Sequence, residues 1–298
     1  MKRAALIAVL VLLVVTPGLV LAGGSTAPTK CKTRYPVVLA HGAGVTAKVF
    51  GIVDAWWGIE DAIEDEGGNV YITAVNGMDG TAAKAVEFKR QYLQILAAAR
   101  TSKANIIGHS HGTLYTRYAI SNLGLSSKVA SYTSLSGPHR GSCIADILVY
   151  KLPSPLLSMA ASVIDVAYSL VMGDDNPNTL QMGYDLCTDY MINVFNPNTP
   201  NVSGVYYQSW AAKAKWGCPS VYMEPTWLIM KAIEGDNDGL VSVNSAKWGN
   251  YRGAQEAAWW SPGVDHINMV GHFFGLTPGF DAPEFYVSIV KDLKSRGY

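Results

Sequence analysis

Short runs of apolar residues alternate along this chain with longer stretches in which apolar positions recur every three or four residues. "YPVVLAHG" (35–42) reads as a buried strand ending in glycine, "AWWGIEDAIEDEG" (55–67) as a helix closed by Gly67, and "NVYITAVN" (69–76) as a second strand. "TAAKAVEFKRQYLQILAAAR" (81–100) is amphipathic, "ANIIG" (104–108) is another apolar run, and a helix is expected from Thr113. "VASYTSLSG" (129–137) adds a strand, and after a long interruption "PTWLIMKAIEG" (225–235) reads as one more. Strands alternating with helices of this length build βαβ units and a mostly parallel sheet, and near-continuous apolar strands imply helices on both faces. The expected class is therefore α/β. "DAPEFYVSIVKDLKSRGY" closes the chain as a helix, with Asp281 as N-cap, Pro283 in the first turn, Glu284 three residues after the cap, and Phe285, Ile289 and Leu293 on one face.

Residues 1–22, "MKRAALIAVLVLLVVTPGLVLA", break this pattern. Lys2 and Arg3 precede an apolar run to Val15, Pro17-Gly18 interrupts it, and small side chains follow up to Ala22. The run is shorter than the roughly 20 residues that span a bilayer, so the segment reads as a secretory signal cleaved after Ala22. The remainder, 23–298, suits one domain, since no Pro/Ser-rich linker divides it. Basic and acidic residues balance at 23 each, which gives no pull toward nucleic acid or an anionic membrane. With 49% hydrophobic and 15% charged residues the core is ample, and some apolar surface should stay exposed. An even number of cysteines (Cys31, Cys143, Cys187, Cys218) in an exported chain makes disulfides expected. Cys31 and Cys143 belong to opposite ends of parallel strands, beyond the roughly 7 Å limit on Cα separation. Cys143 should then pair with Cys187 or Cys218 and Cys31 with the other, or one bond forms and two thiols stay free.

The chemistry starts at "NIIGHSHGT", where an apolar run meets helix-compatible residues across two glycines that bracket Ser110. A sharp strand-to-helix turn strains the residue at its apex and crowds the positions two residues either side, so Gly108 and Gly112 are what presents Ser110 at the carboxyl edge of a sheet. Gly-x-Ser-x-Gly alone matches by chance in roughly one chain in ten of this length; its place between a strand and a helix lifts it to a candidate nucleophile.

A nucleophilic hydroxyl needs a base, and the base an orienting acid. His109 and His111 flank the serine and point away from its hydroxyl, and no further ligand at metal spacing supports a zinc site there. His41 and His139 sit in strand-end turns. His266, in "PGVDHINMVG", follows every expected strand, and in α/β chains of this pattern the order is Ser, then Asp or Glu, then His. Of the aspartates between Ser110 and His266, Asp236 and Asp238 in "AIEGDNDGLV" directly follow an expected strand. Asp238 is preferred because Gly239 permits the turn that faces it inward, with Asp236 the alternative. An oxyanion would find backbone N–H donors at His111, the residue after the nucleophile, and at Ala43 in "AHGAG".

These stretches, with "VDAWWGIEDAIEDEGGNVYITAV", "SLSGPHRGS", "SGVYYQSW", "NDGLVS" and "DHINMVGHFFGL", resemble the secreted bacterial true lipases of the Pseudomonas and Burkholderia type, from about residue 33 to 276. The resemblance implies an α/β-hydrolase fold, hydrolysis of acylglycerols at a lipid–water interface, and roles for Ser110, Asp238, His266, Ala43 and His111 matching those reached above. It implies a foldase chaperone as a partner, no cofactor in catalysis, and a structural calcium beside the histidine loop. The calcium positions two and six residues after the histidine are here Asn268 and His272, a weaker oxygen-ligand set. The family's disulfide has no counterpart, since its position after "DGLV" is Val243.

The interruption from about 144 to 215 should be a cap over the site. Within it Ser154, Ser158, Ser162, Asp165 and Ser169 form one polar stripe on an otherwise apolar helix, which is either a buried cap helix or a lid that turns its apolar face to lipid. The expectation is a secreted serine carboxylester hydrolase of the triacylglycerol lipase type. The alternatives are a short-chain esterase or polyester depolymerase, and a non-catalytic lipid- or protein-binding module.

Overall fold

A computed structural model of the protein describes residues 27–298 apart from 45–47, 50–52, 160, 163–164, 166–176 and 273. The expected signal segment lies outside the described residues. Six strands, β1 (Val37–Ala40), β2 (Val70–Thr73), β3 (Ala104–His109), β4 (Val129–Leu135), β5 (Tyr206–Ala212) and β6 (Asn250–Gln255), form one sheet in the order β2-β1-β3-β4-β5-β6. Every pairing is parallel. Among the described residues no helix is long and apolar enough to cross a membrane.

Strand alternation sorts the core into two layers. Val37 and Leu39 face α1 (Ile59–Asp65) and α7 (Ala282–Ser295), packing with Trp56, Ile63 and Tyr286. Val38 and Ala40 face the other way, against Phe88 and Tyr92 of α2 (Thr81–Ala98) and Tyr115 and Ile120 of α3 (His111–Asn122). Helix α2 buries Thr81, Lys84, Ala85, Phe88, Tyr92 and Leu96, one stripe at helical spacing. The closing helix forms as its capping signal requires, with the Asp281 carboxylate accepting from Glu284 N at 3.0 Å.

Two expectations about the sheet and the cap are corrected. "PTWLIMKAIEG" is not a strand: Glu224–Ile233 is a helix, α6, with Pro225 in its first turn. Its buried residues Trp227 and Met230 lie three apart, while Leu228 and Ile229 are exposed, so the continuous apolar run imitated a buried strand. Strand β5 lies inside the stretch assigned to the cap, so the excursion from the sheet closes before Tyr206. It reads poorly as a strand because Gln208 and Ser209 interrupt it. Both are fully buried and paired: Gln208 Nε2 donates to Thr133 Oγ1 at 3.0 Å, and Ser209 Oγ accepts from Trp248 N at 2.9 Å.

The disulfide expectation also fails. All four cysteines are free and buried. Cys31 faces the Val287 carbonyl beneath the sheet, and Cys218 faces the Lys215 carbonyl beside α6. Cys143 and Cys187 each follow one partner of the Ser142 N to Leu186 O hydrogen bond, yet they are not joined: Cys143 N donates to Glu234 Oε1 at 2.8 Å, and the Cys187 thiol faces the Gly183 carbonyl at 3.4 Å. Burial holds the Cys31 and Cys187 thiols up at about 11, leaving little thiolate for exchange.

Candidate active site

Strand β3 ends at His109 and α3 begins at His111, so Ser110 alone makes the turn, with φ 54° and ψ −130°. A non-glycine residue held there stores about 1–3 kcal/mol of strain, tolerated because the packing around it allows nothing else. A Cβ on Gly112 would stand 2.2 Å from the Ala40 carbonyl oxygen, and one on Gly42 would stand 2.8 Å from the Ser110 Cβ. Neither position accepts a side chain while the serine keeps its place.

The Asp238 loop reaches the same edge of the sheet by a detour. After β5 the chain leaves for α6 and returns so that Ala214 N donates to Asn237 O at 3.0 Å, setting Asp238 beside the carboxyl end of β5. Asp238 Oδ1 accepts from Leu240 N (3.0 Å) and Val241 N (2.7 Å). Its Oδ2 takes the His266 Nδ1–H at 2.9 Å, and His266 N donates to the Asp238 carbonyl at 2.9 Å. Since a carboxylate accepts only, Nδ1 carries the proton and Nε2 is the ring's acceptor. Asp236 sits elsewhere, exposed and paired with Lys213 (2.9 Å) and Lys231 (2.6 Å). The structure thus separates the two candidate acids and joins Asp238 to the histidine. The His109 ring packs against His266, 4.7 Å between centroids, and limits its tilt.

Ala43 lies in the turn after β1, and the loop is held from behind. His41 donates through Nδ1 to the Gly42 carbonyl at 2.9 Å, accepts at Nε2 from Val75 N at 3.1 Å, and its carbonyl takes the Tyr115 hydroxyl at 2.9 Å. His111 is the first residue of α3, where a backbone N–H has no intrahelical acceptor. Ser110, His266, Gly42 and Ala43 all line one cavity of about 700 Å³. Its other wall is apolar, from α4 (Cys143–Lys151), α5 (Thr179–Asp185) and the cap helix: Ile144, Leu148, Val149, Leu157, Leu180 and Met182 among others.

Of the polar stripe, Ser158 and Ser162 are exposed on a helical stretch, and Asp165 Oδ1 accepts from Thr179 N at 2.9 Å, tying the cap helix to α5. Ser169 lies outside the described residues. Leu157 and Ala161 turn into the cavity while Leu156 and Met159 face solvent.

The residues beside the His266 loop do not fit calcium. The Asn268 side-chain amide donates to the His272 carbonyl, and His272 Nε2 bonds the Asp54 carbonyl at 2.8 Å, so a cation there would meet an N–H donor and an imidazole. The neighbouring carboxylate, Asp265, is taken up by Ser220 N (2.7 Å), Ile267 N (3.1 Å) and Asn268 N (3.0 Å), a set of donors that braces the loop without metal. Among the described residues no three His, Cys, Asp or Glu side chains gather as a metal site.

Four histidines, His41, His109, His111 and His139, are buried, and burial is the first cause holding each below the ordinary imidazole range, His41 down to about 3. A group whose folded pKa is depressed takes its proton only on unfolding once the pH falls below the unfolded value, about 6.5. Stability is therefore fully present above that pH and lost below it, by about 1.4 kcal/mol per histidine per pH unit. Thermal melting followed against pH should show uptake of about three or more protons on unfolding near pH 5.5. A melting temperature flat from pH 7 to 5 would contradict neutral buried imidazoles.

A family model described as "Palmitoyl protein thioesterase" matches residues 36–176, the stretch that carries the Ala43 turn and Ser110. A triacylglycerol lipase of Burkholderia plantarii is 36% identical over 141 residues, 46% of this chain and 39% of that one. A triacylglycerol lipase of Vibrio cholerae is 28% identical over 296 residues, 89% of each chain. The matched stretch spans less than half the length of the relatives that reach 36% identity. Among solved structures, a metagenomic carboxyl esterase superposes with a TM-score of 0.67 at 17% identity, over 88% of this chain and 76% of that one, a likeness of fold. The fold is that of the α/β-hydrolases, and the resemblance to bacterial triacylglycerol lipases read from the sequence is matched by relatives bearing that name.

Proposed function

We propose that this chain is a secreted serine carboxylester hydrolase, a triacylglycerol lipase by substrate, that works through an acyl-enzyme. The observation that carries the reading is one cavity lined by a strained Ser110, by His266 locked to Asp238 in the Nδ1–H tautomer, and by the Ala43 turn, with an apolar wall opposite. His266 Nε2 removes the Ser110 proton as the hydroxyl attacks the ester carbonyl. Asp238 holds the ring and stabilises the imidazolium, and the Ala43 and His111 amides receive the oxyanion. The imidazolium then protonates the leaving alcohol. Water attacks the acyl-enzyme with His266 again as base, releasing the acid and restoring Ser110. The signal-like first 22 residues support export, and half-exposed Leu148 and Phe274 at the mouth support work at a lipid surface.

A cavity of this size buries most of a drug-sized apolar ligand, and each methylene taken from water contributes ~0.8 kcal/mol, about fourfold in kcat/KM if fully realised. With p-nitrophenyl esters, kcat/KM should rise about two- to fourfold per methylene from acetate toward octanoate. A maximum at acetate would favour the short-chain esterase, and no hydrolysis at any length the non-catalytic module.

A further inference from the structure

Lys84 is fully buried on the first turns of α2, facing the back of the oxyanion loop rather than solvent. Its Nζ donates to the Gly77 carbonyl at 3.1 Å, and that same carbonyl accepts from Gly44 N at 3.1 Å, the residue after Ala43. Nζ also lies 3.3 Å from His111 Nδ1. An ammonium has no lone pair, so the imidazole nitrogen is the acceptor, and His111 Nε2–H must donate to Thr81 Oγ1, 2.8 Å away. The Lys84 ammonium also lies over the Tyr115 ring, 5.5 Å from its centroid, and the Tyr115 hydroxyl donates to the His41 carbonyl at 2.9 Å. One side chain thus reaches both halves of the oxyanion hole, the Ala43 turn through Gly77 and Gly44, and the His111 residue through its ring.

From this juxtaposition we infer that Lys84 is a positioning residue for the oxyanion hole, holding the Ala43 and His111 amides at the separation that suits a tetrahedral oxyanion. The inference rests on the hydrolase reading above. It explains why His111 is a histidine: a ring with one acceptor and one donor nitrogen spans Lys84 and Thr81, a link that an apolar residue of similar size could not make. It also explains a lysine where an amphipathic helix otherwise turns its apolar face inward. Displacing preformed donors weakens the transition state and not the bound ester, so the effect falls on kcat.

The test compares Lys84→Met with the wild type on a p-nitrophenyl ester and measures affinity for an alkyl boronic acid, which forms a tetrahedral anion on the serine. Melting curves confirm that the variant is folded. A kcat lower by about 100-fold with KM within threefold, and boronate affinity reduced by a similar factor, is expected. Unchanged kcat, or a kcat loss with boronate affinity intact, overturns the inference while leaving the wild type's hydrolysis standing. An inactive wild type refutes the hydrolase reading instead. The wild type offers a readout that does not depend on activity or on the variant's folding: nitrogen-15 shifts of the His111 ring should report Nε2–H with Nδ1 accepting. An Nδ1–H tautomer leaves Lys84 nothing to donate to there and overturns the inference.

Discussion

Ser110→Ala should remove ester hydrolysis, lowering kcat by about 10⁶, the order found when a triad serine is deleted, while the protein melts within a few degrees of the wild type. The two halves of this expectation have separate causes. The hydroxyl oxygen is the atom that becomes acylated, and without it only direct attack by water on a bound ester remains. The fold has little to lose: the strain belongs to the backbone at φ 54°, which alanine shares, and the Cβ that Gly42 accommodates remains. Removing one partly exposed hydroxyl belongs with substitutions worth about 1 kcal/mol or less. Activity assays and calorimetry on the same preparation check it; a variant that keeps more than one part in a thousand of wild-type kcat contradicts the nucleophile.

Asp238→Asn should lower kcat by about 10⁴. Asp238 is 1% exposed, with Oδ1 fixed by the Leu240 and Val241 amides. An asparagine there keeps its oxygen on those amides and turns its NH₂ toward His266 Nδ1. The ring then accepts at Nδ1 and carries its proton on Nε2, where it cannot take one from Ser110. Asp236→Asn, at an exposed carboxylate paired with two lysines, removes ion pairs of about 0–1 kcal/mol and should leave kcat within threefold. The reverse ranking moves the acid to Asp236.

How far the site was legible follows from how local its signals are. The Ser110 turn is written in five consecutive residues, because the clash that demands Gly112 is with the neighbouring strand's Ala40 carbonyl and every strand-to-helix turn of this kind meets it. His266 was legible from chain order. The stretch before Asp238 has the apolar run of a strand but is the helix α6, and Asp238 arrives beside β5 only because the chain folds back to pair Ala214 with Asn237. Strands β5 and β6 carry no strand signal in the sequence because their polar residues are satisfied across neighbouring strands or at an open edge, a tertiary property with no periodic signature. Lys84 shows the same limit. In an amphipathic helix a lysine reads as part of the wet face, and only the folded chain brings Gly77 and His111 to its ammonium. An even cysteine count does not by itself place thiols together: Cys31, Cys187 and Cys218 each face a backbone carbonyl in a different part of the fold.

The most direct measurement of the central claim is covalent mapping of the nucleophile. The folded protein is treated with an alkyl p-nitrophenyl phosphonate, its intact mass is recorded, and the labelled peptide is sequenced. One phosphonyl group per chain, carried by Ser110 and absent when Asp238→Asn is treated for the same time, is the result predicted here. A label on any other residue, or complete labelling that leaves hydrolysis unchanged, would contradict a mechanism built on Ser110, His266 and Asp238.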